Sequence, residues 1–126
     1  MGKSKADIRN FSKEDYPLLF SEEKHKQENL RQRYEEALSV AKEAAALLKR
    51  EYGAENVWIF GSLTDFDHFN KWSDVDLAVQ GVPDERFYAA VTAVTDLVTD
   101  FEVDLIDIDD CKESLKKAVE HKGIKL

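Results

Sequence analysis

The chain has 126 residues with 26 acidic against 18 basic side chains, a net charge of −8, which predicts one domain with a single core. The charge is uneven: residues 1–52 carry 11 basic and 10 acidic side chains, residues 53–126 carry 7 and 16. An acidic half repels phosphate backbones, so direct nucleic-acid binding is disfavoured, whereas divalent cations suit it. No apolar run is long enough to span a bilayer and the N-terminus shows no signal-peptide pattern. The one cysteine, Cys111, excludes an internal disulfide and fits a reducing, cytoplasmic setting. It reads as a small side chain near a helix start.

Residues 1–20 are expected to hold little regular structure, with residues 21–126 forming the domain. Within YPLLF, the side chains Tyr16, Leu18, Leu19 and Phe20 are either a lid on the core or an exposed apolar segment. Ser21 is a plausible helix N-cap, followed by Glu22 and Glu23 where the helix dipole favours acids. Leu30, Tyr34, Ala37, Leu38, Ala41, Ala45, Leu48 and Tyr52 then recur at three- and four-residue steps, an amphipathic helix ending at Gly53. At about 30 residues it is longer than the ~11–12 of an ordinary globular helix, so its first turns are expected to project or to meet another chain.

A first strand is predicted over 56–60, a polar loop over 63–73 and a second strand over 74–79. Gly81, Val82 and Pro83 make a turn, and Asp84 caps a helix carrying Phe87, Ala90, Val91, Val94, Leu97 and Val98. A third strand follows over 101–106. A last helix starting at Asp109 or Asp110 carries Leu115, Ala118 and Val119 and stops near Gly123, leaving a short, weakly apolar tail. Helices alternating with strands predict an α/β sandwich.

The stretch VWIFGSLTDFDHFNKWSDVDLAV, residues 57–79, carries the chemistry. Side chains alternate along a strand, so Asp74 and Asp76 share a face while Val75 and Leu77 point into a core. Two carboxylates on one edge repel each other, and a site that keeps both ionised usually holds a divalent metal. A third acid, Asp104, interrupts the apolar run 101–108 and completes a three-carboxylate cluster if that run is a neighbouring strand. Gly61 lets backbone approach a phosphate, and Ser62 offers a hydroxyl and an N–H. His68 reads as a solvated loop histidine, and His25 and His121 lie on helices with no zinc spacing. Trp72, Phe66 and Phe69 could stack on a base, but buried aromatic packing is the expectation.

Gly61-Ser62 at a strand end, Asp74-x-Asp76 on the next strand and Asp104 in a later one resemble the nucleotidyltransferase fold of the DNA polymerase beta superfamily. Within it, the length is similar to the minimal nucleotidyltransferases (MNT), often paired with a HEPN toxin. The resemblance covers roughly residues 28–121. It implies a palm-like α/β fold, a mixed sheet of three strands or slightly more with helices packed against it. It further implies AMP transfer from ATP, with Asp74 and Asp76 ligating two magnesium ions. Asp104 either ligates the metal nearer the acceptor or serves as its base, and Gly61 and Ser62 meet the β/γ phosphates. The implied acceptor is a tyrosine hydroxyl of a cognate HEPN toxin, which makes the chain an antitoxin.

The loop departs from the family pattern. Eleven residues, not the usual ten, separate Ser62 from Asp74, and Leu63 stands where an arginine is common. Lys71 is the only lysine or arginine between 61 and 73, which implies modest phosphate affinity without metal. Two alternatives stay open: an antitoxin that neutralises by binding alone, and a small-molecule transferase of the aminoglycoside-modifying kind working as a homo-oligomer.

Overall fold

The structure, a computed structural model, describes residues 17–97 and 100–126, with side chains described from residue 26 onward. Backbone packing divides the chain into two compact units, Met1–Gln32 and Arg33–Leu126. Helix α1, Pro17–Glu51, begins four residues before the expected cap at Ser21. Proline suits a first helical position: its fixed φ is preorganised, and the N–H it lacks would have no partner there. The apolar side chains of YPLLF, proposed above as lid or sticky segment, lie outside the described residues.

Within the second unit, α1 buries Ala37, Val40, Ala41, Ala44, Ala45 and Leu48. These recur at three- and four-residue steps, and the alanines let backbone layers approach closely. The helix is followed by β1 (Asn56–Phe60), two 3₁₀ turns (Gly61–Thr64 and Phe66–His68), β2 (Val75–Gln80), α2 (Asp84–Thr95) and β3 (Val103–Asp107). A 3₁₀ turn over Ile108–Asp110, α3 (Glu113–Lys122) and β4 (Ile124–Lys125) complete the chain. The sheet order is β3-β2-β1-β4, antiparallel between β1 and β2 and between β1 and β4, parallel between β2 and β3. The fold is thus the expected α/β sandwich with a mixed sheet, of four strands.

Alternation along these strands separates two faces. Val57, Ile59, Val75, Leu77 and Val79 are essentially fully buried, and with Val103, Leu105 and the buried stripes of α1 and α2 (Ala90, Val94) they form the larger core. The opposite face holds a smaller one, Ala78, Ile108 and Val119, against which Trp58, Phe60, Ile106, Cys111 and Leu115 pack. Helix α3 supplies Leu115 and Val119, one turn apart, so it covers part of this second face.

Several boundaries differ from expectation. Strand β2 starts at Val75, leaving Asp74 just ahead of it, and β3 starts at Val103 rather than at residue 101. Pro83, not Asp84, holds the N-cap position of α2, and Asp84 and Glu85 lie in its first turn, where the dipole favours them. Helix α2 ends at Thr95, and the expected end at Val98 lies outside the described residues. Asp109 and Asp110 do not open the last helix. The Asp107 carboxylate accepts from Asp109 N–H and holds them in a 3₁₀ turn, so α3 starts only at Glu113. The tail joins the sheet as β4, pairing with Trp58 and Ile59. Among the described residues no helix is long and apolar enough to cross a membrane.

Candidate active site

Strand register builds the site. Phe60 pairs with Asp76 across the β1–β2 ladder, and Asp76 with Asp104 across the β2–β3 ladder. Residues paired on adjacent strands share a face, so the end of β1 and the two carboxylates form one row. Gly61 follows Phe60 with φ 73°, and a Cβ placed there would lie 2.5 Å from Asp76 Oδ2. Any side chain at position 61 would therefore collide with the carboxylate as well as strain the backbone. The Gly61 carbonyl accepts from the Thr64 hydroxyl at 2.8 Å, which closes the 3₁₀ turn that carries the half-buried Ser62.

Burial pushes the Asp76 carboxyl up from its ordinary 3.8 to about 6, the negative charges of Asp104 and then Asp74 adding to it. A hydrogen bond from protonated Asp76 to Asp104 favours the neutral form further. Asp104 is exposed and Asp74 half-buried. Asp76 and Asp104 thus meet directly, while Asp74 acts on Asp76 through its charge. Among the described residues no three acids, histidines or cysteines close around a point that could hold a metal ion. The expected three-carboxylate cage is in that sense incomplete. Magnesium, however, is usually held by one or two carboxylates together with substrate phosphates and water rather than by an all-protein cage. Asp76 and Asp104, two hard oxygen donors side by side next to a backbone stripped of its Cβ, fit that kind of binding.

A groove of about 730 Å³ opens at the acid pair, lined by Phe60, Asp76, Asp104, Ile106, Leu115 and Val91 among others. A second hollow of about 320 Å³ shares Phe60 and Leu115 with it and adds Gly61, Thr64, Val119 and Lys122. Neither Leu115 nor Lys122 was singled out from the sequence as lining such a hollow: Leu115 was legible only as a core position, and Lys122 lies far from the loop in sequence.

The loop aromatics separate into two groups. Phe66 and Phe69 meet Tyr34 edge-on at 5.3 and 5.2 Å, and the Tyr34 hydroxyl donates to the Leu63 carbonyl. Both are packing residues, as expected. Trp72 is not: its side chain is 77 % exposed, with the Lys71 ammonium 4.5 Å over the ring. The tight turn causes this, since Asn70 Oδ1 accepts from Trp72 N–H and the Ser73 hydroxyl from Asn70 N–H, which turns residue 72 outward. His68 is exposed and meets Asp65 at 3.1 Å. Leu63, where the family commonly has arginine, is fully buried.

The family model described as "Polymerase beta, Nucleotidyltransferase" matches residues 42–126, most of the chain and all of the site. The chain belongs to the polymerase beta nucleotidyltransferase family. Solved structures agree in fold. A toxin–antitoxin crystal structure with AMP-PNP is similar at TM-score 0.54 and 20% identity, over 66% of this chain and 69% of that one. Two mutant MntA–HpeT toxin–antitoxin structures align at TM-scores 0.53 and 0.52 with 18% and 22% identity, each over 68% of this chain and over 70% and 68% of theirs. No curated protein matches the chain by sequence. In this nucleotidyltransferase the matched region contains Gly61, Asp74, Asp76 and Asp104.

Proposed function

We propose that this chain transfers AMP from ATP to a hydroxyl of a partner protein, a toxin of the HEPN class, and so acts as an antitoxin of the MNT type. The observation that carries the reading is the row Phe60, Asp76, Asp104 across three adjacent strands, with Gly61, next after Phe60, at positive φ against Asp76. The similar structures add support: they are toxin–antitoxin assemblies, one of them with a non-hydrolysable ATP analogue. The cytoplasmic location suggested by the single cysteine belongs to the same proposal.

In this reading Asp76 and Asp74 would hold magnesium beside Asp104, and the ion would supply charge neutralisation for the triphosphate. The remaining work falls to the chain's own groups. Gly61 lets the backbone approach the phosphates, and Ser62 supplies an N–H and a hydroxyl at the turn. The acceptor oxygen forms its bond to the α-phosphorus as the bond to pyrophosphate breaks, and pyrophosphate leaves with the electron pair. Asp104, the exposed member of the pair, is the carboxylate an incoming hydroxyl can reach, and it takes the proton. Asp76, buried deeper, orients rather than exchanges.

One feature favours the binding-only reading as runner-up. Beside the acids Asp65, Asp67 and Asp74, the loop's one lysine, Lys71, lies over Trp72. Incubation with labelled ATP, magnesium and the cognate partner decides. Label on the partner that disappears with Asp104→Asn supports transfer; a tight complex that never takes up label gives the binding-only reading instead.

A further inference from the structure

We infer that Lys122, at the far end of the chain, supplies the cation that meets the triphosphate in place of the loop arginine this chain lacks; the inference rests on the transfer reading above. In the loop, Leu63 is buried in the core and Lys71 lies against Trp72. The C-terminal segment supplies what is missing. Lys122 lines the hollow of about 320 Å³ together with Gly61 and Thr64, and that hollow shares Phe60 and Leu115 with the acid groove. A polyphosphate whose α-phosphorus sits at Asp76 and Asp104 and whose tail passes Gly61 thus runs toward an ammonium group rather than toward more carboxylates.

The placement is built into the fold. Helix α3 ends at Lys122, and the chain turns at once into β4, where Ile124 pairs with Ile59, two residues before Gly61. Gly123 makes that turn possible. Its N–H donates to the Val119 carbonyl at 2.8 Å, and a Cβ there would collide with the same carbonyl oxygen and lie 3.1 Å from the Ile59 carbonyl. The Leu126 N–H donates to the Val57 carbonyl, which pins the strand to β1, and the Lys49 ammonium of α1 donates to the Leu126 carbonyl. These contacts fix the last residue of α3 beside the Gly61 turn.

The test is calorimetric binding of ATP and of AMP, in magnesium, to the full chain and to Lys122→Gln, Lys122→Arg and Lys117→Gln. Lys117 is an exposed lysine of the same helix outside the hollow, so its variant removes the same charge elsewhere. Lys122→Gln is expected to weaken ATP binding about tenfold and leave AMP binding unchanged, with Lys122→Arg restoring most of the loss. Melting temperatures of all variants should match the parent, since Lys122 is exposed. Equal ATP affinity in parent and Lys122→Gln, or an equal loss in Lys117→Gln, overturns the assignment while leaving the transfer reading standing. A parent chain that binds no ATP at all overturns both.

Discussion

On one face of β2, Val75, Leu77 and Val79 are fully buried under helices; on the other, one residue away, Asp76 is half-buried against Asp104 and Gly61. The first face is governed by apolar burial, which is insensitive to pH and tolerant of volume-conserving exchange. The second, beside the smaller core around Ala78, is held at Asp76 in an electrostatically unfavourable state, carboxylate against carboxylate, that folding alone does not reward. A strand that repels itself on one side is tolerated because the other side anchors it. The contrast separates what makes the chain fold from what makes it act, and substitutions on the two faces should therefore fail in different ways.

The largest effect is expected on the acidic face and in activity alone. Asp76→Asn and Asp104→Asn should each reduce transfer by at least about 10³-fold, the scale of losing a principal electrostatic group, while circular dichroism stays that of the parent. Residual transfer near the parental rate in the double variant would remove the carboxylates from the chemistry. Next, on the apolar face, Leu77→Ala should cost about 2–5 kcal/mol in denaturant unfolding, because Leu77 has no exposed surface. A cost near zero would mean the larger core repacks freely and the division between faces is false.

Gly61→Ala tests the point where the two regimes touch. The new Cβ would lie 2.5 Å from Asp76 Oδ2 at a φ of 73°, so a loss of about 1–3 kcal/mol is expected together with impaired transfer. Gly61→Ala/Asp76→Ala should recover part of the stability and none of the activity, because the clash is with the carboxylate itself. Stability that does not recover would assign the whole cost to backbone strain.

How much of this was legible in the sequence follows the same division. The apolar alternation of β1 and β2 and the helical stripe of α1 show plainly, because burial leaves a period. The acid row was legible too, since Asp-x-Asp and an acid inside an apolar run fall on the face the alternation leaves open. What escaped was set by pairing and by local hydrogen bonds. Strand β4 has two exposed residues and no period to read; it is a strand because its backbone meets β1. Asp109 and Asp110 look like helix caps until the Asp107 carboxylate captures Asp109 N–H. Trp72 looks like core until Asn70 turns it outward. Lys122 comes to line the hollow beside Gly61 only once Gly123 and Ile124 fold the chain back onto β1, which no local pattern announces.

The smallest expected effect sharpens the comparison most, because it depends on pH on one face only. Asp76 titrates at about 6 in the folded chain against an ordinary 3.8, so its folded pKa is raised. The folded state then binds this proton more tightly than the unfolded state does. Stability contributed by the protonated carboxyl is fully present below about pH 4 and is lost as pH rises to 6, and above 6 the penalty is constant. A shift of this size corresponds to about 3 kcal/mol at most; the carboxylate is partly open to water, and screening reduces this to roughly 1–2 kcal/mol. In EDTA, Asp76→Asn should therefore melt several degrees above the parent at pH 7.5 and level with it near pH 4. Leu77→Val, on the opposite face, should shift melting by the same amount at both values. Magnesium chloride at pH 7.5 should raise the parent's melting temperature and leave Asp76→Asn unmoved, since only a ligand that binds the folded acid pair stabilises it. An Asp76→Asn advantage that persists at pH 4 would show that the gain comes from packing and not from relieved repulsion.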